Sequence, residues 1–192
     1  MSYSTKTAIE KRKSIRKYKS DKVEKYIIED ILNCGRLAPS AKNRQPWKFV
    51  VITNKEKINE FADIMMKNHT KQDDKLDLQI LKSPNSVIST AKVIKQAPVL
   101  ILILREIDNN WIIGDNLSIG ACIENMCLRA CELDLGTLWI RDTVYSAKEL
   151  TRFLGFDDKI YELNSALCLG IPDENPPARP RKKLEEIITW IE

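Results

Sequence analysis

Long apolar stretches are lacking in this sequence. The longest runs from Pro98 to Leu104, far short of the roughly 20 residues that a membrane-spanning helix needs. Paired cysteines are lacking too. The five, Cys34, Cys122, Cys127, Cys131 and Cys168, are odd in number, and no two are spaced as Cys-x-x-Cys, the pair that announces most structural zinc and iron–sulfur sites. Histidine occurs once, as His69, in a polar stretch with charged neighbours, and reads as a surface or loop residue. No Gly-x-Gly-x-x-Gly is present to hold a dinucleotide in a fold of its own. Aromatics make up only 7%, and the four tryptophans, Trp47, Trp111, Trp139 and Trp190, stand apart. The first residues, Met1 to Thr7, are polar, so no secretory signal is expected. Membrane proteins, collagen-like chains and disulfide miniproteins are thereby excluded.

The 192 residues are 43% hydrophobic and 30% charged, enough to bury a sizeable core in one domain spanning residues 1–192. Cys127 and Cys131 are four apart on an expected helix beside Met126, Leu128 and Ala130, so the thiols read as buried, reduced, small hydrophobes. Reduced thiols suit a cytoplasmic protein. The net charge of +4 is unevenly placed. One cluster holds Lys11, Arg12, Lys13, Arg16, Lys17 and Lys19; another, near the far end, holds Arg179, Arg181, Lys182 and Lys183. Such clusters are either solvated surfaces or two halves of one anion site. A nucleic-acid reading lacks any helix-turn-helix, zinc-finger or RNP-like signature.

Hydrophobic spacing predicts a helix from Val23 to Leu37, ended by Pro39, and another from Lys55 to Lys67. The stretch from His69 to Ser86 reads as an exposed, irregular excursion. Phe49 to Thr53 reads as a strand, and Val99 to Leu104 as a strand covered on both faces. Asn116 to Leu133, apolar nearly all round, is expected to be the central buried helix, closed by Gly136. Thr137–Ile140 and Ala166–Ile171 read as further buried strands, the latter ended by Pro172. Ser146 and Glu149 suggest a capping box on a short helix that stops at Gly155. Pro176, Pro177 and Pro180 make an extended arm before a final helix, Leu184 to Ile191. Without strict strand–helix alternation, the pattern is an α+β sheet sandwiched by helices.

Three segments carry candidate chemistry. Lys11 to Tyr18 sets Ser14 among cations, a good phosphate cradle. Leu37 to Trp47 places Ser40, Asn43 and Gln45 in a loop stiffened by Pro39 and Pro46, with more hydrogen-bonding groups than a bare turn needs. Gly136 to Arg141 follows a buried helix and offers backbone N–H groups to a flat ligand.

Several motifs occur in one order over nearly the whole chain: Arg12-x-Ser14-Ile15-Arg16-x-Tyr18, Arg36 to Ser40 running on to Gln45-Pro46-Trp47, Ala97-Pro98, Glu132 to Gly136 leading to Trp139-Ile140, and Gly170-Ile171-Pro172 with a Pro/Arg arm. Together they resemble the FMN-dependent nitroreductase family. The Pro-Ser-Ala-x-Asn-x-Gln-Pro-Trp loop is the most specific of them.

The resemblance implies a three-layer α+β fold, with a central mixed or antiparallel sheet and a C-terminal arm reaching a dimer partner. It implies FMN at the interface of a homodimer, with NADH or NADPH as donor. In that scheme Arg12, Lys13 and Ser14 hold the phosphate and ribityl end, and Arg179 and Arg181 return to the phosphate. Arg16 lies near the flavin N1 and C2 carbonyl, where a fixed cation stabilises the reduced form. Pro39, Ser40, Asn43 and Gln45 belong to the loop that binds across the interface, and Ile140 and Arg141 pass beside the ring. Lys92 is a looser match to a pyrimidine-side contact. The implied reaction is ping-pong transfer to a nitroaromatic, quinone or enone, with no acid or base required of the protein. Flavin remodelling, dehalogenation and a non-catalytic polyanion-binding module are the alternatives. Two positions depart from the family pattern: Arg141 and Asp134 stand where glycine is common.

Overall fold

The structure is a computed structural model that describes residues 4–69 and 84–192. Its centre is a four-stranded antiparallel sheet of β1 (Trp47–Ile52), β2 (Val99–Glu106), β3 (Gly136–Ile140) and β4 (Tyr161–Gly170), in the order β1-β2-β4-β3. Among the described residues, six α-helices accompany it: α1 (Thr5–Lys11), α2 (Lys25–Arg36), α3 (Lys55–His69), α4 (Pro84–Ile94), α5 (Ile112–Glu132) and α6 (Ala147–Phe153).

Side chains alternate across a strand, so the two central strands feed two separate cores. Leu100, Leu102, Leu104, Ala166 and Cys168 pack against Ile58, Phe61 and Met65 of α3, Ala91 and Ile94 of α4, and Leu150 of α6. Val99, Ile101, Ile103, Leu167 and Leu169 pack on the other face against Ile28 and Ile31 of α2 and Ile119, Ile123 and Met126 of α5. This is the expected helix–sheet–helix layering, and it explains why β2 reads as an unbroken apolar run. Residues Val99 to Arg105 are all buried.

Several local expectations are corrected. Gly136 does not close α5: the left-handed residue is Asp134, at φ 56°, with Leu135 N–H donating to Ala130 O. Gly136 instead opens β3, where a Cβ would lie 2.7 Å from Ile15 Cγ1. Trp139 is 44% exposed although it belongs to a strand expected to be buried. No capping box forms at Ser146, because its φ/ψ of −129°/21° is not the extended geometry a capping side chain needs. The chain runs straight from the 3₁₀ turn Asp142–Ser146 into α6. Gly155 does stop that helix, at φ 83°. The final helix is absent: only a 3₁₀ turn, Leu184–Glu186, forms. Leu184, Ile187, Trp190 and Ile191 are 64–96% exposed, so no apolar face is buried to hold a helix this short. His69 is the last residue of α3 and Ser86 lies in α4, so neither is in an irregular stretch; residues 70–83 fall outside the described part.

The segment between α1 and α2 is stitched to the sheet margin. Ser14 bridges Thr137 in parallel and Tyr18 bridges Pro172, while the Tyr18 hydroxyl donates to Ile15 O at 2.7 Å. This lays the N-terminal cationic motif alongside β3.

Candidate active site

A cleft of about 340 Å³ opens between β3 and α5, lined by Arg12, Ser14, Glu124, Cys127, Thr137, Trp139 and Arg141. Thr137, Trp139 and Arg141 are alternate residues of one strand and its end, so they share a face. Ile140 points the other way and is buried in the opposite core; toward the cleft it offers backbone only. The indole Nε1–H of Trp139 donates to Ser165 Oγ at 3.2 Å, which fixes the ring. Glu124 and Cys127 are three apart on α5 and face the cleft together.

The charged groups are partly matched. Arg12 Nε lies 3.2 Å from Glu124 Oε1. Lys13 Nζ donates to Asn175 Oδ1 at 3.0 Å, and the Arg16 backbone N–H donates to Glu174 Oε1 at 2.5 Å. The N-terminal motif is thus tied to the start of the C-terminal arm. Burial pushes the Cys127 thiol up to about 11, opposed by a hydrogen bond with Thr137. It is a neutral, 3% exposed wall atom, in keeping with a reduced buried cysteine.

Arg12, Ser14 and Arg141 are therefore brought together, along with Thr137 and Trp139, whose segment was expected to offer only its backbone, and Glu124 and Cys127, which the motif reading did not assign to a site. The period of β3 would have picked out Thr137 and Trp139, and Glu124 is a rare charge on an otherwise apolar helix. Pro39, Ser40, Asn43 and Gln45 lie elsewhere, on a self-contained loop. There the Ser40 hydroxyl accepts from Gln45 N–H at 3.0 Å, and the Gln45 amide donates to Asn43 Oδ1 at 3.3 Å. Lys42, Asn43 and Gln45 all have φ between 48° and 57°, a costly run for non-glycine residues. Arg44 anchors it: its Nε sits 3.1 Å from Asp115 Oδ1, its Nη2 3.2 Å from Asp108 Oδ2, and its guanidinium 4.8 Å over the Trp111 ring. Arg179 and Arg181 are exposed on the arm, with Arg181 Nη1 donating to the Arg179 carbonyl at 3.3 Å.

This fold, with a cationic cleft between an edge strand and the long α5 helix, is that of the nitroreductases. The chain belongs to the Nitroreductase family, whose model matches residues 9–171. It is 26% identical to a candidate NAD(P)H nitroreductase of Bacillus subtilis, over 94% of this chain and 91% of that protein. It is 29% identical to an iodotyrosine deiodinase of Nematostella vectensis, over 94% of this chain and 72% of that protein. Among solved structures, a candidate nitroreductase of Desulfovibrio desulfuricans in complex with FMN superposes with a TM-score of 0.77 at 25% identity, covering 100% of this chain and 99% of that one.

Proposed function

We propose that the protein is a homodimeric, FMN-dependent oxidoreductase that passes electrons from NADH or NADPH to an electron-poor small molecule. One observation carries the reading: Arg12 and Ser14 line the same cleft as Thr137 and Trp139, alternate residues on one face of β3, with Ser14 bridged to Thr137. A guanidinium and a hydroxyl suit a phosphate, and an aromatic edge suits a ring system. The residues present therefore fit the cofactor.

In this reading Arg12, Lys13 and Ser14 hold the phosphate and ribityl end. Arg16 supplies positive charge near the pyrimidine, and the backbone of Ile140 and Arg141 borders the ring. When bound, FMN supplies two-electron transfer between donor and acceptor at one face. The protein orients both substrates there and contributes no acid or base. Donor and acceptor use the cleft in turn, so double-reciprocal plots should be parallel; intersecting lines would refute alternating occupancy.

The cleft on one chain is at the small end for a cofactor site, typically about 300–1,000 Å³. Large apolar side chains also stand in solvent on that chain, Ile113 at 74% and Leu117 at 72% on α5, and Trp190 at 77% on the tail. Unpaired apolar surface of this kind marks an interface. A second copy would cover it with its arm, and would bring Pro39, Ser40, Asn43, Gln45, Arg179 and Arg181 to the shared site. Among the described residues no helix is long and apolar enough to cross a membrane.

The purified protein should be yellow, absorbing near about 450 nm, and bleached by NAD(P)H. Protein that stays colourless after incubation with excess FMN would refute the reading. The deiodinase likeness supports a second reading, reductive removal of halogen from an aryl halide at the same cleft. Halide release exceeding nitroarene reduction would favour it.

A further inference from the structure

The cationic charges of the cleft are not equally occupied. Arg12 is paired with Glu124, which is itself a cleft residue. Arg141 is exposed and lines the same cleft, four residues on from Thr137. Among the described residues it has no carboxylate within ion-pair distance. Its neighbour in sequence, Asp142, is engaged elsewhere: Asp142 Oδ2 accepts from Ser86 Oγ at 2.9 Å and from Thr90 Oγ1 at 2.8 Å, both on α4. Burial and the Asp142 charge raise the Tyr145 phenol, and Arg141 opposes them. Beside this cation lies the half-exposed Trp139 ring, held by Ser165 on the same face of the strand.

In the flavin-dependent reading the Trp139 side of the cleft belongs to the cofactor, so the group left to engage the acceptor is the exposed guanidinium. It takes an anionic group on that acceptor, with bidentate geometry available to a carboxylate. We infer that Arg141 makes the cleft select aromatic acceptors that carry an anionic substituent, a carboxylate or its equivalent. The inference rests on the flavin-dependent reading and names the substrate class of that same site. Arg141 is a specificity-determining residue here, acting through its side chain.

The test uses the FMN-loaded protein and two nitroarenes of matched shape, 4-nitrobenzoate and its neutral isostere 4-nitrobenzamide. Wild type should favour the anion about tenfold in kcat/KM, the scale of one charge-assisted contact. The unreactive pair benzoate and benzamide should show the same ratio in Kd, read by tryptophan fluorescence. Arg141→Gln should bring both ratios close to unity, and Arg141→Lys should keep most of the preference. Raising the salt should shrink the wild-type ratio, because the contact is solvent-exposed. A wild type indifferent to charge, or a ratio unchanged in Arg141→Gln, overturns the inference. Failure of the flavin reading would look different. The protein would bind no FMN, and the benzoate-to-benzamide Kd ratio of wild type against Arg141→Gln would still decide the role of Arg141.

Discussion

Replacing Arg105 by methionine keeps most of the side chain's bulk but removes a guanidinium that is 1% exposed. That group bonds Glu162 Oε1 through Nε at 2.8 Å, and through Nη1 it reaches the Asp108 carbonyl at 3.2 Å and Asp115 Oδ2 at 3.5 Å. The Asp115 side chain is itself 1% exposed. Without Arg105 its buried negative charge is left with Arg44 alone, 3.1 Å away. Breaking a buried pair by removing one partner costs about 3–5 kcal/mol, because desolvation of the survivor is no longer offset. In a protein of this size 1 kcal/mol shifts the melting temperature by about 2–4 °C, so Arg105→Met should melt roughly 6–20 °C lower by calorimetry. Adding Asp115→Leu removes the stranded charge, and the double variant should recover more than half of the loss. A single variant melting within about 2 °C of wild type, or a double variant no better than the single, would refute this account of the network.

Arg12→Ala with Arg181→Ala should abolish stoichiometric FMN while leaving the circular dichroism unchanged; flavin retained at one per chain would disprove the phosphate assignment. Gly170→Ala should destabilise by about 1–3 kcal/mol in urea, because the new Cβ meets the rigid Pro98 ring at 2.7 Å. Gly35→Ala should cost less, since its 2.7 Å neighbour is the flexible Met126 Cγ; the reverse order would contradict the packing. Burial raises Cys122 to about 12, Cys127 to about 11, and Cys168 as well. Unfolded thiols ionise first, near the ordinary value of 9.0, so the native state holds more protons above that pH. Its thiol contribution is complete below about pH 9 and is lost as the pH climbs toward the folded values. The urea midpoint should therefore fall between about pH 8.5 and 10.5, and a midpoint that rises over that range would contradict the burial of these thiols.

Elements that bury a periodic face were legible in the sequence. The apolar spacing of Val23, Tyr26, Ile27, Ile31, Cys34 and Leu37 gave α2, although the face it buries is Ile28, Ile31 and Gly35 while Tyr26 and Leu37 stand exposed, and the unbroken Val99–Leu104 run gave the doubly covered strand. What escaped was held by something other than periodicity. α1 buries a single residue, Ala8, and begins with a Ser4 hydroxyl accepting from Thr7 N–H, too little to register as a pattern. The turn at Asp134 is left-handed with a non-glycine residue, a conformation aspartate tolerates, and the glycine two residues on drew the expected helix end to itself. Arg105 and Asp115 lie on different elements, and their partnership exists only after the sheet and α5 have met. For the cleft, the motif order led to Arg12, Ser14 and Arg141. Glu124 and Cys127 come from the opposing helix and carry no local motif. Arg179, Arg181 and the Ser40 loop lie away from the cleft on this chain.

The tie between the two ends of the polypeptide has a consequence for biogenesis. Lys13 is held by Asn175, the Arg16 amide by Glu174, and Tyr18 by Pro172. The first two of these anchors lie 162 and 158 residues beyond the groups they hold, so a nascent chain carries its N-terminal motif long before its C-terminal ties exist. A product truncated before residue 172 would forfeit all three anchors at once.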